Sequence, residues 1–187
     1  MNVKAIAEAI KRDSAHNVPV ILIGIEGFGG SGKTTLSKQL LQFLGDAYLI
    51  HIDDFIVKEK LLELAWDTGV FDHDRLEKQV LRPAKSGNPI IYQKLAYDEN
   101  HLGQAITLPS VRYVLVEGIS CYIHSLRHYY DFKIWVDTPA ELAMARGIVR
   151  DGTHDSADDW NKWAQIDILF SQKYQPALVA DFIVTSP

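Results

Sequence analysis

The apolar run Val20-Ile21-Leu22-Ile23-Gly24-Ile25, followed one residue later by Gly27-Phe28-Gly29-Gly30-Ser31-Gly32-Lys33-Thr34, constrains the fold more than any other feature of the chain. A short β-branched run suits a strand buried on both faces, as in a parallel sheet. The eight residues after it match G-x-x-x-x-G-K-[ST] in full, the strand-to-helix loop whose backbone N–H groups converge on phosphate oxygens. Side chains beyond Cβ would obstruct such a curl, and four of the six positions Gly27–Gly32 are glycine. A helix starting near Lys33 would add its positive end. Gly27, Gly29, Gly30, Ser31, Gly32, Lys33, Thr34 and Thr35 are therefore the expected triphosphate-binding residues. Lys33 would reach the β- and γ-phosphates, and the Thr34 hydroxyl is placed to ligate Mg²⁺. The motif points to ATP or GTP and leaves the reaction open.

Further apolar runs recur at Ala47 to Ile52, Tyr113 to Val116, Phe132 to Val136 and Phe182 to Val184. Helical spacing marks residues 2–15, Thr34–Leu44, Asp74–Ala84, Ala140–Arg150 and Asp158–Tyr174. Strands alternating with amphipathic helices imply an α/β sheet with right-handed crossovers, whose ligands sit beyond the carboxyl ends of the strands. Residues 54–110 hold only a short apolar stretch, Pro89 to Tyr92, and read as a partly helical insertion beside the sheet. No repeat or Gly/Ser linker divides the 187 residues, so one domain is expected over 1–187.

Nineteen Lys and Arg against 24 Asp and Glu give a net charge of −5, which argues against a nucleic-acid partner. A small polyphosphate ligand is compatible with that sign, because a local pocket can be cationic. The lone cysteine, Cys121, cannot form an internal disulfide, and the amino end lacks the apolar core of a signal peptide. No run approaches the roughly 18 apolar residues of a membrane helix. A cytoplasmic protein without a membrane partner is the expectation, and a homo-oligomer stays open.

Within the nucleotide-binding classes, switch GTPases read guanine through Asn-Lys-x-Asp, whereas the chain has Asn161-Lys162-Trp163-Ala164. The chain carries no Leu-Ser-Gly-Gly-Gln signature and is short for a motor or transporter. A small-molecule kinase needs a base for the acceptor hydroxyl, an acid for the metal and cations over the transferring phosphoryl group. Asp53 and Asp54 follow the second apolar run, Glu117 ends the third, and Arg146 and Arg150 share one helix face. Asp53 is the expected base, with Asp54 or helix capping as the alternatives that the residues leave open. Likewise Glu117 could merely end a strand, and the arginines could be a solvated face.

Taken with the Gly27–Thr34 loop, the segments His51-Ile52-Asp53-Asp54-Phe55, Val116-Glu117-Gly118-Ile119, Val136-Asp137-Thr138 and Arg146-x-x-x-Arg150-Asp151 resemble the uridine kinase family, grouped with phosphoribulokinase and bacterial pantothenate kinase. The resemblance runs from about Val20 to the carboxyl end. It implies a three-layer α/β fold with a five-stranded parallel sheet, an ATP donor with Mg²⁺, and a small-molecule hydroxyl as acceptor, with uridine or cytidine leading. It also implies Asp53 as base, Glu117 with Thr34 and Asp53 around the metal, and Arg146 and Arg150 over the phosphoryl group. A lid would lie at about 151–157. Two departures stand out: Gly147 replaces a second arginine, and the lid segment itself holds none. On the acceptor side, Trp66-Asp67-Thr68-Gly69-Val70-Phe71-Asp72 resembles the family's Phe-Asp-His-Pro-x-x-Phe-Asp. This makes Asp67 the expected ribose contact, while Tyr97 and His101 are expected at the base. Trp160 and Trp163 are expected to pack their helix against the sheet or lid, in a stripe continued by Ile166, Leu169 and Phe170. A nucleotide-binding regulator, or a gluconate- or shikimate-type kinase, are the competing readings.

Overall fold

The computed structural model describes residues 2–14, 17–57, 65–67, 69–96, 101–152 and 157–185. Five strands form one wholly parallel sheet: β1 (Ile21–Gly27), β2 (Ala47–His51), β5 (Tyr113–Glu117), β6 (Phe132–Asp137) and β7 (Phe182–Thr185), in the order β2-β5-β1-β6-β7. Alternate side chains of β1 enter opposite layers, which is why its run is apolar throughout. Ile21, Ile23 and Ile25 pack against α1 (Val3–Asp13) and α2 (Lys33–Leu44) through Ile6, Ile10, Leu36 and Leu40. Leu22 joins Ile50, Val114 and Val116 in the other layer, with Phe55, Val80, Leu81 and Tyr92. The Asn2 side chain caps α1 by accepting the Ala5 N–H at 2.8 Å. Two long helices complete the chain, α5 (Ala140–Asp151) and α6 (Ala157–Tyr174).

The insertion is where expectation and structure part. A 3₁₀ turn (Ile52–Phe55) follows β2, so the second strand ends one residue early. Beyond it, α3 (His73–Leu76), a π-helical turn (Glu77–Leu81) and α4 (Arg82–Ser86) run on as one helical segment, as the spacing suggested. The next part is an antiparallel hairpin, β3 (Ile91–Ala96) with β4 (His101–Thr107), which the sequence reading had not separated out. Most of the hairpin is open to solvent, so it lacks the apolar alternation that marks a half-buried strand. Among the described residues no helix is long and apolar enough to cross a membrane.

Candidate active site

The sheet places the glycine-rich loop at the carboxyl end of its central strand. Gly30 has φ +77°, and a Cβ there would lie 2.0 Å from the Ala143 carbonyl oxygen of α5, so only glycine lets loop and helix approach this closely. The Thr138 hydroxyl, just past β6, donates to the Ser31 carbonyl at 3.0 Å and fixes the loop from below. Lys33 Nζ donates to the Gly27 and Phe28 carbonyls at 3.0 and 2.9 Å. A cavity of about 720 Å³ opens over Gly30, Gly32, Lys33, Thr34 and Thr35, and Arg146 and Arg150 of α5 stand on its wall. Its size suits a nucleotide. The structure thus brings the loop and both expected arginines to one hollow.

Register across the sheet aligns the acidic groups with that loop. On β5, Glu117 pairs with His51 of β2 on one side and with Ile25 of β1 on the other. Its Oε1 accepts the Thr34 hydroxyl at 3.1 Å and lies 2.6 Å from His51 Nδ1. Burial raises the Glu117 pKa, but the His51 hydrogen bond and Lys33 outweigh it and hold the carboxyl below its usual value. Asp53 occupies the 3₁₀ turn and is exposed to solvent. Desolvation and the Glu117 charge push its pKa up, while Lys33 and His51 pull the other way. Asp54 turns elsewhere: its carboxylate pairs with Lys94 Nζ at 3.1 Å and accepts from Tyr92 on β3. The two adjacent aspartates therefore differ in surroundings: Asp54 is held by the β3 side chains Tyr92 and Lys94, and Asp53 feels the charges of Glu117, Lys33 and His51.

A hydroxyl and a carboxylate converging at Thr34 and Glu117 suit a hard oxygen-seeking cation. Among the described residues no group of three or more His, Cys, Asp or Glu could hold a metal. The donor set therefore fits Mg²⁺ shared with phosphate oxygens rather than an all-protein cage.

Two residues of the site, Glu26 and Asp167, carry no signal in the sequence, and a third, Trp160, carries only a packing signal. Glu26, at the end of β1, is fully buried; its Oε1 accepts the Tyr122 N–H at 2.8 Å, and burial pushes its pKa up to about 8. It therefore keeps its proton at neutral pH and adds little negative charge beneath the loop. Trp160, read only as helix packing, explains the missing arginine. A Cβ on Gly147 would fall 2.3 Å from Trp160 Cη2, so the indole of α6 occupies the space that a side chain at 147 would need. The Arg150 guanidinium lies 5.6 Å over the same ring and pairs with Asp151 at 2.6 Å. Asp167 of α6, 4% exposed, accepts the Gly29 N–H with Oδ2 and the Trp66 Nε1–H with Oδ1, both at 2.6 Å.

On the acceptor side, Asp67 Oδ2 meets Lys173 Nζ at 2.5 Å and the Tyr174 hydroxyl at 2.7 Å. The Lys173 hydrogen bond holds the Asp67 carboxyl below its usual value. His101 opens β4 on the exposed hairpin, grouped with that hairpin rather than with the cavity wall. Tyr97 and residues 153–156 of the expected lid lie outside the described residues.

A family model described as "Phosphoribulokinase / Uridine kinase family" matches residues 22–158, well over half of the chain. The chain belongs to this family. A uridine kinase from Borrelia garinii subsp. bavariensis is 32% identical over 139 residues, covering 70% of this chain and 66% of that protein. This chain thus matches slightly less than two thirds of that relative's length. Among solved structures, one described as a possible uridine kinase from Bacillus stearothermophilus has a TM-score of 0.72 at 20% identity, covering 97% of this chain and 96% of that one. One described as a candidate fructose transport system kinase from Silicibacter sp. TM1040 has a TM-score of 0.77 at 23% identity and full coverage of both chains. At those identities the two structures support the fold alone, the three-layer α/β architecture with its five-stranded parallel sheet.

Proposed function

We propose that this chain is an ATP-dependent kinase that phosphorylates a hydroxyl of a small molecule, with the 5′-hydroxyl of uridine or cytidine as the leading acceptor. The observation that carries the reading is the convergence of the phosphate loop, Glu117 and Asp53 at the carboxyl ends of three neighbouring strands. Backbone amides of Gly27–Thr34, followed by Thr35, would bind the triphosphate, and the Lys33 ammonium would exchange its loop carbonyls for phosphate oxygens. Thr34 and Glu117, with Asp53 nearby, would hold Mg²⁺. When bound, the ion supplies charge neutralisation across the phosphate chain.

Asp53 orients the acceptor hydroxyl and takes its proton as the new oxygen–phosphorus bond forms and the bond to the departing ADP breaks. Its raised pKa improves it as an acceptor of that proton. Arg146 and Arg150 neutralise charge on the transferring group, a contribution that grows where water is excluded. The donor transition state is loose, so this chain's part in the chemistry is chiefly positioning. Asp67, drawn to Lys173 and Tyr174 through Oδ2, is the carboxylate that the nucleoside reading assigns to an acceptor hydroxyl. Tyr97 and His101 would add contacts to the base.

The test is ADP release from ATP against a panel of nucleosides, sugars and vitamin-like alcohols. Stimulation by uridine or cytidine supports the proposal in full, and stimulation by another alcohol reassigns the acceptor. Nucleotide binding without acceptor-dependent turnover would replace the kinase with a nucleotide-binding regulator.

A further inference from the structure

α6 reaches both halves of the candidate site from one helix. Asp167 takes a donor from each half: the Gly29 amide of the phosphate loop and the Trp66 indole of the acceptor-side segment. Trp160, seven residues earlier and so on the same helix face, packs against Gly29 as well, 3.1 Å from where a Cβ would sit. Two turns past Asp167, Lys173 and Tyr174 hold Asp67, the neighbour of Trp66. A buried carboxylate is tolerated only where hydrogen bonds replace its water. Each oxygen of Asp167 depends on one N–H for that purpose, and the two N–H groups belong to different segments.

The Gly29 N–H belongs to the loop whose amides converge on phosphate. A phosphate oxygen that drew on the Gly29 N–H would do so at the expense of Asp167, and whatever Asp167 lost at Gly29 would alter its hold on Trp66. We propose that Asp167 is a positioning residue that makes occupancy of the phosphate loop felt at the Trp66–Asp67 segment, an inference that rests on the kinase reading above. Donor binding re-partitions the Asp167 hydrogen bonds, and the acceptor-side segment shifts its stability in response.

The test is hydrogen–deuterium exchange on the full chain, with and without ATP and Mg²⁺, in peptides covering residues 27–35 and 65–72. In the unaltered chain the nucleotide protects 27–35 and changes the exchange of 65–72 by about threefold or more. In Asp167→Asn, whose amide offers one acceptor oxygen but turns an N–H₂ towards the other donor, protection at 27–35 remains and the response at 65–72 disappears. Trp66→Phe removes only the indole donor and keeps a ring beside Phe71, so it gives the same result and stands alone if Asp167→Asn fails to fold.

With the acceptor found by the screen, both variants raise the acceptor KM about tenfold and leave the KM for ATP within about twofold, whereas general structural damage would weaken both. A response at 65–72 that persists in both variants overturns the proposal. Protection at 27–35 without any response at 65–72 in the unaltered chain overturns it too and leaves the kinase reading standing. Absence of protection at 27–35 defeats nucleotide binding itself, and both readings with it.

Discussion

Replacing Gly147 with alanine places one carbon in space that an indole already fills. The added Cβ would lie 2.3, 2.4 and 2.5 Å from Cη2, Cζ3 and Cζ2 of Trp160. Carbon atoms settle about 3.5–4.0 Å apart, so the ring must withdraw by about 1 Å. It is 4% exposed and packed on Gly29, so it has no solvent to swing into. Overpacking of this kind costs about 1–3 kcal/mol. Alanine in a helix interior returns about 1 kcal/mol relative to glycine. The net expectation is a loss of about 1 kcal/mol, with about 2 kcal/mol as the upper end, and for a chain of this length the central value lowers Tm by about 2–4 °C. Thermal melts followed by circular dichroism measure the shift directly.

A second background isolates the cause. In Trp160→Leu the space beside position 147 opens, so Gly147→Ala there keeps only the helix gain and stabilises by about 1 kcal/mol. The coupling between the two positions is then about 2 kcal/mol. A higher Tm for Gly147→Ala in the unaltered background, or an equal loss in both backgrounds, would refute the claim that the indole excludes a side chain at 147.

Asp53→Asn should leave nucleotide affinity nearly intact while turnover falls by about 100-fold or more, read as a kcat loss in the ADP-release assay; unchanged turnover would remove Asp53 from the chemistry. Lys33→Met should weaken nucleotide binding by about 10- to 100-fold, as expected for loss of charge-assisted hydrogen bonds, measured by calorimetric titration. Glu26 gives a pH signature. Its carboxyl titrates near pH 4.5 in the unfolded chain and near 8 in the fold, so the folded chain retains a proton that the unfolded chain gives up. Stability therefore falls as pH rises from about 4.5 to about 8 and levels off above. Glu26→Gln keeps the acceptor for Tyr122 N–H and removes that slope, so urea midpoints from pH 5 to 9 should separate the two proteins increasingly towards alkaline pH. Parallel curves would count against a protonated Glu26.

What could be read from the residues was whatever a local pattern carries. The continuous run of β1, the glycine spacing of the loop and the apolar periodicity of α2, α5 and α6 each restrict the backbone where they occur. Their assembly into a doubly covered parallel sheet follows from that alternation. The β3–β4 hairpin escaped because solvent reaches most of its residues, which frees them from any period. Asp167 escaped for the opposite reason. An acid inside the Ile166–Phe170 stripe reads as an exposed interruption, and only the fold reveals two N–H donors from segments 101 and 138 residues away. Gly147 likewise read as a missing cation until Trp160, thirteen positions on, was seen in its place.

Because His51, Glu117 and Ile25 stand level across β2, β5 and β1, the ladder spacing of the sheet sets the width of the candidate site. Two inter-strand steps span about 10 Å, a length on the scale of a polyphosphate tail. The measuring rod is made of main chain, not of side chains. Evolution or an engineer can therefore exchange the groups mounted on it without resetting the spacing between them.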